Sequence, residues 1–180
     1  MKIIFLDIDG VLNHELFYRG YTKYPRKTIK RPLDQIDQGS VEILNDLIKE
    51  TGAKVVISST WRRHYTPEEM QGFLEHFGFK GEVIGSTPIY NQANIVRGNE
   101  ILGWIRENEK MLGQYSAYYD RYVIFDDDSD FLYWQRNNFI HIDRYCGLSP
   151  SNVYQAVKIL NRYDQKNTID NGVKVDMIEL

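Results

Sequence analysis

The chain has 180 residues, of which 42% are hydrophobic and 26% charged, with a formal net charge of −3. This length and composition indicate one globular domain with a core, and no apolar run approaches the roughly 18 residues of a membrane span. A single cysteine, Cys146, excludes an internal disulfide, and no Cys/His cluster predicts zinc. We therefore expect a cytoplasmic protein without a membrane partner.

The first stretch, MKIIFLDIDGVLN, predicts a buried strand over residues 2–8 that ends in two carboxylates. Its continuous apolar run, bounded by a turn signal, is typical of a parallel strand covered on both faces. Ligands of open α/β sheets bind just outside the carboxyl ends of such strands. Asp7, Asp9 and Gly10 are therefore predicted to lie at a ligand site.

Residues 13–38 predict an irregular insertion, a flap or small cap, beside these acids. Between His14 and Pro32 the chain has six Lys and Arg residues and one Glu, a local charge of +5. Its aromatic and basic residues alternate, a pattern that suits single-stranded nucleic acid, because aromatics stack bases and cations contact phosphates. The alternatives are a solvated loop with tyrosines packed on the domain, or a contact to another phosphorylated metabolite.

The remaining chain alternates helices with strands, which predicts right-handed crossovers, a doubly wound and mostly parallel sheet, and helices on both faces. We interpret residues 1–180 as one such α/β domain, with residues 164–180 forming either an edge strand or a loose end. The predicted elements are a helix from an N-cap at Ser40 to about Glu50, a strand over 53–57, a helix from Thr66 to about His76, a strand over 82–84, a helix over 98–109, strands over 122–125 and 139–142, and a helix over 149–163.

Polar residues follow three of the predicted strands, at Asp7, Ser58 and Asp126, and the topology predicts that they converge. Oxygen ligands without histidine or cysteine favour Mg²⁺, which leaves room for a substrate phosphate. An aspartate can serve as a covalent nucleophile for a phosphoryl group, and a second acid nearby can move the proton. Hydroxyls and one cation would hold the phosphate oxygens.

The motifs resemble the haloacid dehalogenase (HAD) superfamily of phosphatases. The resemblance rests on the DxDG sequence at residues 7–10, the strand that ends in Ser58, Arg97 at a helix start, and Asp126-Asp127 with Asp130 after a strand. The stretches FLDIDGVLN, ISSTWR, RGNEILGWI and YVIFDDDSDF are similar to the branch in bacterial and phage RNA-repair proteins, akin to the phosphatase half of polynucleotide kinase-phosphatases. The resemblance spans about residues 1–160.

The resemblance implies a role for each matching residue. Asp7 would be the nucleophile and a Mg²⁺ ligand, and Asp9 the general acid/base, with its backbone carbonyl on the metal. Ser58, or its neighbour Ser59, would bind the transferring phosphate, and Arg97 would take the place of the usual lysine.

Asp127 would complete the metal site with help from Asp126 or Asp130, and the triple run of aspartates leaves the register open by one residue. An arginine at position 97 departs from the family pattern, since it binds phosphate through a fork rather than as a point charge. The residues expected to contact the substrate are Ser59, Gly10, Arg19, Lys23, Tyr21 and Asp130.

The implied activity is Mg²⁺-dependent hydrolysis of a phosphomonoester through an aspartyl-phosphate. The expected substrate is a nucleic-acid end, with a 3′ phosphate favoured, or a nucleotide. The alternatives are a nucleic-acid-binding module, a phosphatase of a small metabolite, and transfer to an acceptor other than water. The tryptophans Trp61, Trp104 and Trp134 are predicted to be packing residues, and the histidines structural or surface residues, with His14 a possible substrate contact.

Overall fold

The computed structural model describes residues 1–20, 36–113 and 119–162. These residues form a five-stranded sheet, six α-helices and two short 3-10 helices. In chain order the elements are β1 (Ile3–Leu6), α1 (Glu15–Gly20), α2 (Gln38–Thr51), β2 (Lys54–Ile57), a 3-10 helix (Thr60–Arg63), α3 (Pro67–His76), β3 (Val83–Ser86), α4 (Arg97–Glu107), α5 (Glu109–Leu112), β4 (Tyr122–Asp126), a 3-10 helix (Tyr133–Asn137), β5 (Phe139–His141) and α6 (Pro150–Asn161).

The sheet has the strand order β3-β2-β1-β4-β5, and every neighbouring pair is parallel. Its central strand β1 is fully buried, as its continuous apolar run predicts. Leu6, the last residue of β1, pairs with Ile57 on one side and with Phe125 on the other. The carboxyl ends of β1, β2 and β4 are therefore level, and the residues that follow them meet at one edge. The predicted Rossmann-like α/β fold is confirmed.

Helices cover both faces of the sheet and create two hydrophobic cores. One core packs α2, α3 and α6 against residues such as Ile4 and Leu6. The other packs α4 and the end of α5 against Ile3 and Phe5. Trp104 of α4 contacts the Phe5 ring edge-on, with the ring centroids 5.5 Å apart. This contact confirms the prediction that Trp104 is a packing residue.

Two helix boundaries differ from the prediction. Helix α2 begins at Gln38, because the carboxylate of Asp37 accepts hydrogen bonds from the amides of Gly39 and Ser40 and thus caps the helix. Ser40 is inside the helix and donates its hydroxyl to Asp37, so the predicted N-cap at Ser40 is wrong. The helix predicted over 98–109 is present as α4, which begins at Arg97 and ends at Glu107, and α5 follows as a separate turn after Asn108.

The predicted irregular insertion begins with a helix. The amide of Phe17 donates to His14 Nδ1 in the first turn of α1, and the amide of Glu15 donates to the carbonyl of Arg144. His14 therefore has a structural role at this position. The rest of the insertion over 21–35, with Tyr21 and Lys23, lies outside the described residues, as does the tail over 164–180. Within the described part of the chain, the helices are too short or too polar to cross a membrane.

Candidate active site

Three carboxylates meet at the carboxyl edge of the sheet. Asp7 follows β1 directly, Asp126 is the last residue of β4, and Asp127 comes next. One oxygen from each of the three lies within 4.8 Å of the others. The amide of Asp7 donates to the carbonyl of Phe125 over 3.0 Å, so the ladder between β1 and β4 continues to the first acid. The sequence prediction that Asp7 and Asp126 converge therefore agrees with the structure.

Gly10 makes room for the third carboxylate. Its φ of 77° lies in the left-handed region, where glycine has no steric penalty. A Cβ at this position would lie 2.4 Å from the carboxylate of Asp127, which is far inside contact distance. The glycine of the DxDG motif thus packs against a candidate metal ligand.

Asp126 and Asp127 make different contacts at the end of β4, where the sequence leaves open which aspartate binds a metal. One carboxylate oxygen of Asp126 accepts from the amide of Asp128 over 2.9 Å, while the other, Oδ2, is buried without a hydrogen bond. Asp127 has an ion pair with the exposed Arg144, whose Nε is 3.4 Å from Oδ2. Both Asp126 and Asp127 belong to the cluster, whereas Asp128 is exposed.

The carboxylate of Asp9 is exposed at the same edge and is held by two donors. Asn13 Nδ2 donates to one oxygen over 2.8 Å, and Trp61 Nε1 donates to the other over 3.0 Å. Asn13 is almost fully buried and also accepts from the amide of Gly10. Trp61 packs in the core as predicted, but its indole also contacts a site residue. No sequence signal points to the Trp61 contact, whereas Asn13 follows the apolar pair Val11-Leu12 directly after the DxDG motif.

Ser58 and Ser59 follow β2 and are both fully buried. The Ser59 hydroxyl is a hydrogen-bond partner of Asp7, and its oxygen accepts from the amide of Trp61 at the start of the 3-10 helix. The Ser58 hydroxyl has no hydrogen-bond partner. Arg97 Nη1 is 3.9 Å from Asp7 Oδ1, and the Arg97 side chain is 13% exposed. Asp7 therefore contacts the Ser59 hydroxyl and has one cation nearby.

Four buried side-chain polar atoms have no hydrogen-bond partner within the part of the chain that the structure describes. They are Ser58 Oγ, Thr87 Oγ1, Arg97 Nη1 and Asp126 Oδ2. All four lie at or just after the end of a strand of the sheet, or at the start of α4. Buried polar groups are rarely left unpaired, because each one costs free energy. Their concentration at one edge indicates a ligand with oxygens to accept from the hydroxyls and the guanidinium, and a cation to bind the carboxylate.

Burial also shifts the titration of the acids. Desolvation raises the pKa of Asp7 to about 6, although Arg97 and the Ser59 hydroxyl act in the opposite direction. Desolvation and the charge of Asp7 raise the pKa of Asp126 to about 8, and desolvation also raises the pKa of Asp127. Three such acids favour a bound cation, and a donor set of oxygens alone is the set that Mg²⁺ prefers. The residues present therefore fit a Mg²⁺ ion.

Comparison with known families decides the identity of the domain. The family described as "HAD domain in Swiss Army Knife RNA repair proteins" matches residues 3–153. The chain belongs to this family. Comparison with curated proteins and with solved structures gave no significant match. The resemblance seen in the motifs is thus confirmed over five strands and the start of α6.

A buried ion pair of the HAD domain supports the loops that carry Ser58 and Thr87. Arg62 of the ISSTWR motif is only 3% exposed and pairs with Glu100 of α4. Its guanidinium also donates to the carbonyls of Ser58, Ser59 and Thr87. Arg62 thereby joins the ends of β2 and β3 to the helix that begins with Arg97. These contacts join three elements, and in the sequence only its place in the ISSTWR motif singles out Arg62.

Two further residues from the sequence prediction, Asp130 and Arg19, make contacts of their own in the HAD domain. The carboxylate of Asp130 accepts from the amide of Arg97, and its carbonyl accepts from the amide of Gly98. Because Val96 has no side-chain donor or acceptor for the cap, Asp130 satisfies the first turn of α4 from another loop. It is outside the cluster of three carboxylates. Arg19, on α1, contacts the Tyr145 hydroxyl and Glu15.

Proposed function

We propose that this HAD domain is a Mg²⁺-dependent phosphatase that hydrolyses phosphomonoesters through a phosphorylated Asp7. One observation carries the proposal. Donors on Ser58 and Arg97 and an acceptor on Asp126, each without a hydrogen bond, lie at the edge of the sheet that carries Asp7. A phosphate oxygen and a cation are the complements of these two kinds of group.

Asp7, Asp126 and Asp127 would hold the Mg²⁺ ion, with the backbone carbonyl of Asp9 as a further ligand by the family resemblance. When bound, the ion neutralises the carboxylates and draws charge from the phosphoryl oxygens. With the ion bound, the buried Asp7 and Asp126 and the half-buried Asp127 could all be ionised at neutral pH. The remaining chemistry belongs to the side chains.

In the first step, a carboxylate oxygen of Asp7 attacks the phosphorus, and the bond from phosphorus to the ester oxygen breaks. Asp9 donates its proton to this departing oxygen, so that an alcohol leaves. Ser58 and Arg97 donate hydrogen bonds to the phosphoryl oxygens, where charge develops. Asn13 and Trp61 orient Asp9 for the transfer, because each holds one of its two oxygens.

In the second step, Asp9 takes a proton from a water molecule as the water oxygen attacks the phosphorus. The bond between phosphorus and Asp7 breaks, which restores the Asp7 carboxylate and releases inorganic phosphate. Asp9 regains its proton and is ready for another ester. The same residue thus acts as acid and then as base.

The proposed substrate is a nucleic-acid end, with a 3′ phosphate favoured, or a nucleotide. The family description places such domains in RNA repair proteins. The basic and aromatic composition of residues 14–32, which adjoin the DxDG motif in sequence, supports the same substrate class.

The test is phosphate release from an aryl phosphate ester, from 3′- and 5′-phosphorylated oligonucleotides and from nucleotides, with and without Mg²⁺. We expect Mg²⁺-dependent release that Asp7→Asn abolishes. Asp128→Asn is the control, because it removes one acidic charge from the same edge of the sheet but lies outside the cluster. Oligonucleotide binding that survives Asp7→Asn, with no turnover of any ester by the unsubstituted protein, would instead support a binding module.

A further inference from the structure

Two adjacent aromatic side chains, Tyr133 and Trp134, are exposed to solvent on the 3-10 helix after the Asp126–Asp130 loop. Their exposed fractions are 74% and 63%. The sequence prediction that Trp134 is a packing residue is therefore wrong. A neighbouring pair of large exposed aromatics is informative, because such patches on soluble proteins commonly serve binding.

The turn that carries this pair is firmly anchored, so the exposure is built into the fold. Gln135, which is 1% exposed, donates to the carbonyl of Gly98 over 3.0 Å and accepts from the amide of Leu132 over 2.9 Å. A Cβ on Gly98 would lie 2.4 Å from the Gln135 side-chain oxygen, which shows how closely the turn packs on α4. The core-facing residue of the turn is thus the polar Gln135, and the two aromatics point away from the core.

The same anchor joins the turn to the start of α4, which carries Arg97, the residue in an ion pair with Asp7. Asp130 holds the amides of both Arg97 and Gly98, and Tyr133 is only three residues further along the chain. Three residues span at most about 10 Å even when fully extended, so the exposed pair lies near the start of α4. A strand with its phosphate at Asp7 that continues past the start of α4 would bring its next bases to the exposed pair.

We propose that Tyr133 and Trp134 form a stacking platform for the bases next to the phosphorylated end of a single-stranded nucleic acid. This inference rests on the proposed function and selects a polynucleotide end over a small phosphate ester. Stacking on aromatic side chains is the usual way in which unpaired bases are bound, and it tolerates any sequence.

The charges around the platform favour contact through the bases of a strand rather than through its backbone phosphates. Asp128 and Asp130 are exposed in the preceding loop, and they disfavour a direct contact to backbone phosphates here. An uncharged base has no such penalty. The guanidinium of Arg136 lies 4.0 Å from the centroid of the Tyr133 ring, and arginine adds a cation-π contribution to stacked assemblies.

The chain provides a matched control on the other face of the sheet. Tyr154 of α6 is also 63% exposed, and Lys158 lies 4.0 Å from its ring centroid. Helix α6 packs in the core opposite to that of α4. Tyr154→Ala thus removes an equally exposed, cation-paired aromatic that the proposal does not use.

The first experiment compares kcat/KM for a 3′- or 5′-phosphorylated single-stranded oligonucleotide with kcat/KM for an aryl phosphate. We expect Trp134→Ala and Tyr133→Ala each to lower the ratio of the two values by roughly 5- to 100-fold, the range that loss of one stacked base gives. Tyr154→Ala leaves the ratio unchanged, and Trp134→Phe, which keeps a ring, lowers it less than Trp134→Ala. An unchanged ratio in both alanine variants would overturn the proposal.

The second experiment separates the platform from the catalytic proposal. Because Trp61 contacts Asp9 at the site, the titration uses Asp7→Asn combined with Trp61→Phe. The same oligonucleotide is expected to quench the remaining tryptophan fluorescence, and Trp134→Phe in that background removes the quenching. Because this readout needs no turnover, it tests the platform even if the domain hydrolyses no ester. Quenching that persists without Trp134, or binding equally strong after loss of both aromatics, would overturn the inference and favour a protein partner for this surface.

Discussion

The buried ion pair between Arg62 and Glu100 gives a direct test of how the site is held together. Among the described residues, Glu100 is the carboxylate in an ion pair with Arg62, whose side chain is 3% exposed, and Glu100→Ala removes it. It also removes the acceptor of the amide of Tyr90, which donates to Glu100 over 3.1 Å. The three carbonyls that Arg62 contacts are neutral and do not replace the lost charge.

The magnitude follows from the burial of both partners. Removal of one member of a buried pair costs about 3–5 kcal/mol, because the other charge is left uncompensated. For a domain of this size each kcal/mol lowers Tm by about 2–4 °C, so Glu100→Ala lowers Tm by roughly 6–20 °C. Glu100→Gln loses the charge but keeps an oxygen for Tyr90, and a smaller fall is expected.

The assay is thermal unfolding followed by circular dichroism, with Glu82→Ala as the control. Glu82 pairs with Lys54 at the surface, where the two side chains are 60% and 38% exposed. Exposed pairs contribute about 0–1 kcal/mol, which predicts a fall of less than about 4 °C. If Glu100→Ala unfolds within the range of Glu82→Ala, the Arg62 guanidinium does not depend on its partner and the reasoning fails.

Three further substitutions test the site itself. Gly10→Ala places a methyl group against the Asp127 carboxylate at a left-handed backbone position, and a Mg²⁺ titration is expected to show affinity reduced by about tenfold or more. Trp61→Phe keeps the ring but removes the donor to Asp9, and steady-state kinetics are expected to show kcat lowered by about 10- to 100-fold with KM little changed. In the folded protein Asp126 has a pKa of about 8 instead of 3.8, so the metal-free fold binds the extra proton and loses stability as pH rises towards 8. Asp126→Asn is therefore expected to have the higher Tm at pH 8 without Mg²⁺, with a difference that shrinks towards pH 4 and reverses in Mg²⁺.

The residues at the strand ends could be predicted because two simple patterns locate them. A continuous apolar run such as Ile3–Leu6 marks a buried parallel strand, and the polar residue after it must then lie at the carboxyl edge. Because helices alternate with strands, the strands are parallel and their carboxyl ends lie at one edge of the sheet. Topology alone therefore predicts that Asp7, Ser58 and Asp126 lie together.

The residues that support the site could not be found in this way, because their partners are distant in sequence. Arg62 and Glu100 are 38 positions apart, and neither follows a strand. Thr87 was missed because the third strand was predicted to end at residue 84, whereas β3 extends to Ser86. The prediction that Trp134 is buried is wrong because hydrophobicity indicates burial only on average. In its turn the polar Gln135 occupies the buried position instead.

The distribution of unpaired groups shows where the domain gives up stability for its site. Ser58 and Ser59 are adjacent and equally buried, yet of their two hydroxyls only that of Ser59 has hydrogen-bond partners. Asp126 is divided in the same way, with one oxygen on the turn amide of Asp128 and the other unpaired. A fold selected for stability alone would pair both or replace them with apolar residues, since each unpaired buried group costs about 1–3 kcal/mol. The cost is concentrated around Asp7, where binding of an anion and a cation would recover it, and this links the stability of the domain to the occupancy of its active site.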